Sequence, residues 1–290
     1  MRTALCWSDL ILKKIKIFIA LLVATTVSGC ANDALPKPQK LGPLRVLGIL
    51  ADKPEANEGD SVNLTPIVSD FSSGPRTLTY SWKFCADPGI AQGASPVCSS
   101  TILAQGTGSI QTTEAPLTGA PYSGLAATDS VNVSIPPGTL ASLSATQATN
   151  GIPLIFTFEL TGGTESTQAF RRIIVTSRAT LNTNVSLLSV SGLVTNGAIQ
   201  DFPASKQSLT PVLGSSADTY TVISSTGETL TRTEKLTVSW FTTDGEFEFS
   251  RTDGSSSNQW TPPSGGSAKG LVLLRDDRGG LSTPIQVGFN

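Results

Sequence analysis

Leu78–Phe84, LTYSWKF, sets Leu78, Tyr80, Trp82 and Phe84 on one side of an extended chain and Thr79, Ser81 and Lys83 on the other. A period of two buries one face of a strand and leaves the other to water. Outward from this stretch the chain reads as short apolar runs separated by turn residues. Leu44–Leu50 (LRVLGIL) and Val62–Val68 (VNLTPIV) precede it, with the turn-rich ADKPEANEGD between them. Ser130–Ile135, Leu154–Leu160 (LIFTFEL) and Phe170–Thr176 (FRRIIVT) follow, and TGGTEST between the last two is a hairpin signal. Short strands at this spacing predict an all-β chain built as a β-sandwich. Cys85 opens a long, weakly patterned insertion to about Thr128, rich in Gly, Ser, Thr, Ala and Pro.

The pattern then repeats from near Thr183. Leu187–Val190 answers the first strand, Ser208–Leu213 (SLTPVL) answers Asn63–Val68 (NLTPIV), and Lys235–Trp240 (KLTVSW) answers Thr77–Trp82 (TLTYSW). Three matches in one order, each at a strand, predict two tandem copies of one fold, over 43–179 and 183–290. Proline cannot donate to a strand ladder, so Pro66 and Pro211 predict an edge or a bulge at the shared position.

The end of the second copy carries a family resemblance. Val238–Phe247 (VSWFTTDGEF), Asn258–Pro263 (NQWTPP) and Leu271–Gly280 (LVLLRDDRGG) resemble bacterial PKD-type or Ig-like extracellular repeats, with their W-x-x-x-x-G strand, W-T-x-P segment and D-x-x-G-G ending. Trp82 is likewise placed like the core tryptophan on the third strand of immunoglobulin-like sandwiches. The first copy lacks the second tryptophan and the D-x-x-G-G ending, so its membership rests on the internal repeat. The resemblance implies an exported Ig-like module serving as spacer, adhesive unit or attachment, and fold alone does not decide among these.

Export has its own signature. Lys13, Lys14 and Lys16 precede the apolar run Ile17–Val27, which is too short to span a bilayer and ends in small residues. Val27-Ser28-Gly29-Cys30 resembles the lipobox of bacterial lipoproteins. That resemblance implies removal of residues 1–29 as signal peptide. It also implies a diacylglycerol thioether and an N-acyl chain such as palmitate on Cys30, and a tether over 30–42. Two or more chains hold a protein stably, because each buried CH₂ contributes about 0.8 kcal/mol. Ala31, not Asp, follows the cysteine, which by the same resemblance favours the outer membrane of the cell envelope.

Composition narrows the function. The whole chain has 20 Lys+Arg against 22 Asp+Glu; without Arg2, Lys13, Lys14, Lys16 and Asp9 it has 16 against 21. That balance argues against a nucleic-acid partner, which calls for a basic patch. There is no histidine, so the commonest general base and metal ligand are missing. With Cys6 in the leader and Cys30 lipidated, Cys85 and Cys98 remain. In an exported chain they read as a structural disulfide whose 14-residue loop contributes roughly 3 kcal/mol.

No G-x-S-x-G elbow, P-loop, G-x-G-x-x-G or zinc spacing occurs, and no cofactor is implied. Asp276 and Asp277 are weak calcium candidates. The competing reading is a β-turn in which Asp accepts backbone hydrogen bonds and glycine supplies positive φ, and Arg278 beside the pair favours it. Trp240, Trp260, Tyr122 and Phe247 are candidates for a carbohydrate platform, although tryptophans at the echoed strand position are more often core. The expectation is a non-catalytic structural or binding module, held to the membrane through Cys30 and contacting an envelope protein or glycan. The alternatives are a carbohydrate-active envelope enzyme, requiring two carboxylates roughly 5–10 Å apart in a groove, and a calcium-dependent adhesion module.

Overall fold

The computed structural model describes residues 37–71, 76–89, 97–98, 101–112, 130–196, 199–265 and 268–289. The leader, Cys30 and, within the insertion, residues 90–96, 99–100 and 113–128 with Tyr122 lie outside them. Gln39–Asn290 form one compact unit.

The first half contains β1 (Arg45–Ala51), β2 (Glu55–Ala56), β3 (Ser61–Ser69), β4 (Thr77–Ala86), β5 (Ile102–Gln111), β6 (Val131–Ser134), α1 (Ala145–Asn150), β7 (Ile152–Gly162) and β8 (Glu165–Val175). Sheet β1-β3-β6 faces sheet β2-β8-β7-β4-β5 across a core that includes Leu64, Leu78, Phe84, Phe156, Phe158 and Leu160. The LTYSWKF stretch lies within β4, which has β7 on one side and β5 on the other. Its alternation holds: Leu78 and Phe84 are buried, Tyr80 and Trp82 are half-buried against the same core, and Thr79 and Lys83 are exposed. Tyr80 stacks on Phe158 at 5.2 Å and Trp82 on Phe156 at 5.8 Å. Burying each such ring contributes about 2 kcal/mol.

β5 corrects the sequence reading, which placed these residues in a weakly patterned insertion. It pairs with β4 from Gln111↔Thr77 to Ile102↔Cys85, with a bulge beside Cys85. The apolar alternation is erased by Gly106 and Gly108, which stand opposite Trp82 and Tyr80. A Cβ at Gly106 would lie 2.8 Å from the Trp82 ring, and one at Gly108 2.4 Å from Tyr80. The neighbouring rings thus fill the space that side chains on β5 would otherwise need. Two smaller differences have similar causes. The expected turn ADKPEANEGD contains β2, which pairs in parallel with β8. Helix α1 has no buried residue, so it leaves no apolar period in the sequence; a Ser144–Gln147 capping box starts it.

The second half contains β9 (Leu187–Ser191), β10 (Val194–Asn196), β11 (Ile199–Asp201), β12 (Gln207–Leu213), β13 (Thr219–Ile223), β14 (Thr229–Thr233), β15 (Thr237–Thr242), β16 (Glu246–Phe247), β17 (Arg251–Asp253), β18 (Asn258–Thr261), β19 (Ala268–Arg275) and β20 (Ile285–Phe289). Sheet β16-β18-β12-β9 faces sheet β10-β11-β20-β19-β15-β17, and β13-β14 form a separate hairpin. The pairing repeats that of the first half. β9, β12 and β18 take the places of β1, β3 and β6; β15, β19 and β20 take those of β4, β7 and β8. Even the parallel pair β2–β8 has a counterpart in β11–β20. The described residues are almost all β, arranged as two β-sandwiches of one repeated topology.

The shared proline sits where its strand has one neighbour. Ser61–Leu64 of β3 pair with β6 and Leu64–Ser69 with β1, so Pro66 is opposite Ile49 alone. Gln207–Leu209 of β12 pair with β18 and Thr210–Leu213 with β9, so Pro211 is opposite Val190 alone. Each strand passes from one partner to the other, and the proline occupies the half that has one strand neighbour among the described residues.

Cys85 and Cys98 are bonded, and with Ile155 they form a small buried cluster on the outer side of β7. Replacing both cysteines with serine is expected to lower stability by roughly 3 kcal/mol, read as an earlier denaturation midpoint. Reductant should shift the parent protein alone.

Candidate functional site

The densest polar motif, Asp276–Gly280, turns out to be a joint between the two sandwiches. Asp276 Oδ1 accepts hydrogen bonds from the backbone N–H of Arg278 (2.9 Å) and Gly280 (2.6 Å). Its Oδ2 accepts from Asn182 Nδ2 at 3.3 Å. Gly279 has φ +99, which other residues rarely adopt, and a Cβ on Gly280 would lie 2.1 Å from Asp276 Oδ2. Asp277 points elsewhere, accepting from the backbone N–H of Lys235 at 3.1 Å. The two candidate calcium carboxylates are therefore occupied by separate donors, the geometry of the turn reading. Among the described residues no group of three or more Cys, Asp or Glu converges as a metal site would require.

Arg278 reaches across the joint. Its Nη2 lies 2.7 Å from Glu55 on β2, its Nη1 lies 3.2 Å from Glu234 after β14, and its guanidinium covers the Tyr220 ring at 4.4 Å. Glu55 also accepts from the Asn182 backbone N–H at 2.9 Å and lies 3.8 Å from Arg178. Both carboxylates are nearly sealed, with side chains 4% and 2% exposed. Burial pushes the Glu234 carboxyl above its ordinary range, against the backbone N–H of Asp218 and the charge of Arg278. Arg171 donates to the Gly279 carbonyl, and burial pulls its pKa down to about 10. Arg275 donates to the Leu47 carbonyl at 2.6 Å, and its pKa is likewise lowered by burial.

An apolar layer continues the joint. Phe241, Leu271 and Leu273 lie on the outer face of β15 and β19, where they form one buried cluster with Leu47 and Ile67 of the first sandwich, Leu41 and Leu281. Gln39–Leu41, assigned to the tether from sequence, belong to the fold: Leu41 N–H donates to Thr242 O, and Thr242 N–H to Gln39 O, both at 2.8 Å.

Trp240 and Trp260 are core. Trp240, Phe247 and Trp260 are at most 1% exposed, with Phe202 stacked 4.1 Å from Trp260. Their indole N–H groups donate to Thr252 and to the Pro203 carbonyl. Gly245, the glycine of W-x-x-x-x-G, has φ +68, and a Cβ there would lie 2.2 Å from the Trp260 ring. These buried rings have no face to offer a sugar.

The open surfaces are different in kind. A groove of about 740 Å³ runs between α1 and the β13–β14 hairpin, lined by Ser144, Thr146, Gln147, Asn150, Ser224 and Thr226 among others. The Asn150 amide ties the two sides, donating to Ile223 O at 2.7 Å and accepting from Ile223 N–H at 2.9 Å. A second groove of about 530 Å³ is lined by Lys235, Phe249, Arg251 and Asp253. Sequence reading missed Glu55 and Glu234, and no local signal marks them, since their common partner is distant in the chain.

No protein-family model matches the chain, and no curated protein matches it. Among solved structures it is similar to the fibronectin(III)-like modules of Clostridium thermocellum CbhA, with 13% identity, 85% of this chain and 92% of that one covered, and a TM-score of 0.25. It is similar to the D00–D0 domain of intimin, with 8% identity, coverage of 84% and 98%, and a TM-score of 0.23. It is also similar to three N-terminal domains of the bacteriophage RB49 outer capsid protein Hoc, with 11% identity, coverage of 86% and 99%, and a TM-score of 0.17. Similarity at these scores bears neither on the fold in detail nor on activity.

Arg278→Ala is expected to destabilise the protein by roughly 3 kcal/mol, because it leaves Glu234 buried without its ion pair and Glu55 with only the more distant Arg178. A carboxyl whose folded pKa is raised favours folding at low pH and loses that contribution as pH rises. The variant's deficit in melting temperature should therefore be smallest in acid and grow through the carboxylate range. Millimolar calcium should leave the melting temperature of the parent protein unmoved, and Asp276→Ala should lower it with or without calcium.

Proposed function

We propose that this chain is a lipid-anchored, non-catalytic module of the bacterial cell envelope that presents a rigid pair of β-sandwiches as a spacer or binding surface. The observation that carries the reading is the joint. A buried apolar layer and the Arg278 pairs hold the two sandwiches in one body, which suits a part whose task is position. The carboxylates gathered by the fold, Glu55, Glu234 and Asp276, are spent on arginine and backbone partners within that joint. The groove between α1 and the β13–β14 hairpin is lined mainly by hydroxyls and amides, a chemistry suited to contact with protein backbone or glycan. The anchor rests on Val27–Cys30 and on the apolar run before it. From Cys30 to Gln39 the chain reaches roughly 25–30 Å when extended, enough to hold the fold near a bilayer surface.

Intact mass of protein purified from membranes of the native host tests the anchor. The expected species begins at Cys30 and carries acyl chains, and Cys30→Ala should lose those chains and leave the membrane fraction. A parent mass that retains residues 1–29 without acyl chains would overturn the lipid anchor.

A further inference from the structure

The five-stranded sheet of the first sandwich ends in an edge unlike its counterpart in the second. β5 is ten residues long, ILAQGTGSIQ, without a charge or a proline. β17, the equivalent edge beside β15, is three residues long and carries Arg251 and Asp253. Short length, charge and proline are the usual protections of a sheet edge, and β5 has none of them. Among the described residues β4 is its only strand partner, so alternate N–H and C=O groups along β5 face outward.

We propose that β5 is an interface for a second copy of this chain, added antiparallel across a two-fold axis near Thr107. The outward backbone groups would complete their ladder on the partner's β5, giving one continuous sheet. The side chains argue for self-pairing over another partner. The outer face presents Gln105, Thr107, Ser109 and Gln111, all exposed and uncharged, so a charged partner finds no complement there. Their best complement is the same row. With Thr107 opposite Thr107, Gln105 meets Ser109, and hydroxyls and amides pair across the strands.

On the inner face the same register sets Gly106 opposite Gly108. The half-buried rings of Trp82 and Tyr80 lie across those glycines, at the rim of the sheet. The partner's strand would cover the ring edges that glycine leaves open. Ile102, 44% exposed at the start of the strand, would gain cover by the same pairing.

The test uses the full chain purified in detergent, with light scattering for mass and hydrogen–deuterium exchange for the edge. A mass of two chains is expected, with alternate amides of Ile102–Gln111 protected in a concentration-dependent manner. Thr107→Lys sets like charges opposite each other at the two-fold and should halve the mass and release those amides. Gln105→Lys should act the same way. Both sites are exposed, so the monomeric variants are expected to keep the far-ultraviolet spectrum of the parent and to melt where the parent does when diluted to a single chain. A single-chain mass for the parent protein overturns the proposal, whether the amides exchange freely or are protected by another segment of the same chain. A dimer that survives both lysines overturns it too, since its contact would lie elsewhere.

Discussion

The two-sided burial of β19 is the constraint on which the rest of the molecule depends. Val272 and Leu274 face the aromatic core of the second sandwich, while Leu271 and Leu273 face the first. A strand of an ordinary sandwich has one buried face and one wet face. Here the wet face is replaced by a neighbouring sandwich, and the run LVLL is apolar throughout because both faces are dry. Removing either set of contacts would expose several leucines at once, each worth about 2 kcal/mol of burial.

Polar groups finish what the apolar layer begins. Arg278 and the carboxylates of Glu55 and Glu234 are costly to bury singly, and their arrangement is stable because each charge meets an opposite one at hydrogen-bond distance. The motif glycines serve the same end. Gly279 and Gly280 let the turn close on Asp276, which frees Arg278 to point across the joint. The D-x-x-G-G ending is thus a turn whose side chain reaches out of its own sandwich.

Much of this architecture was legible because it is written locally. Alternation in LTYSWKF located a strand, and the prolines of the NLTPIV/SLTPVL echo marked the strand stretches that have one neighbour. What escaped reading is instructive. β5 was invisible because Gly106 and Gly108, under Trp82 and Tyr80 of the next strand, interrupt its inner face between Ala104 and the buried Ile110 and so break the apolar period. α1 touches the core with nothing fully buried, so it imposes no period. Asp276 was readable as a turn residue, but the placement of Glu55 against Arg278 depends on two sandwiches meeting, and a sequence carries no local trace of that. The tether was assigned four residues too many for the same reason: Leu41 looks like any apolar residue before a strand, and only the far sandwich reveals its place.

The stitching of Gln39–Leu41 to Thr242 has a mechanical meaning. A pull on the chain at its amino-terminal end does not load the first sandwich at once. It meets the parallel bridge at Lys40↔Thr242 and the buried Leu41 first, so tension divides between both halves at their junction. A protein held by its leading end in a moving surface would in this way feel drag as a load on its most deeply packed strands, with neither sandwich peeled open ahead of the other.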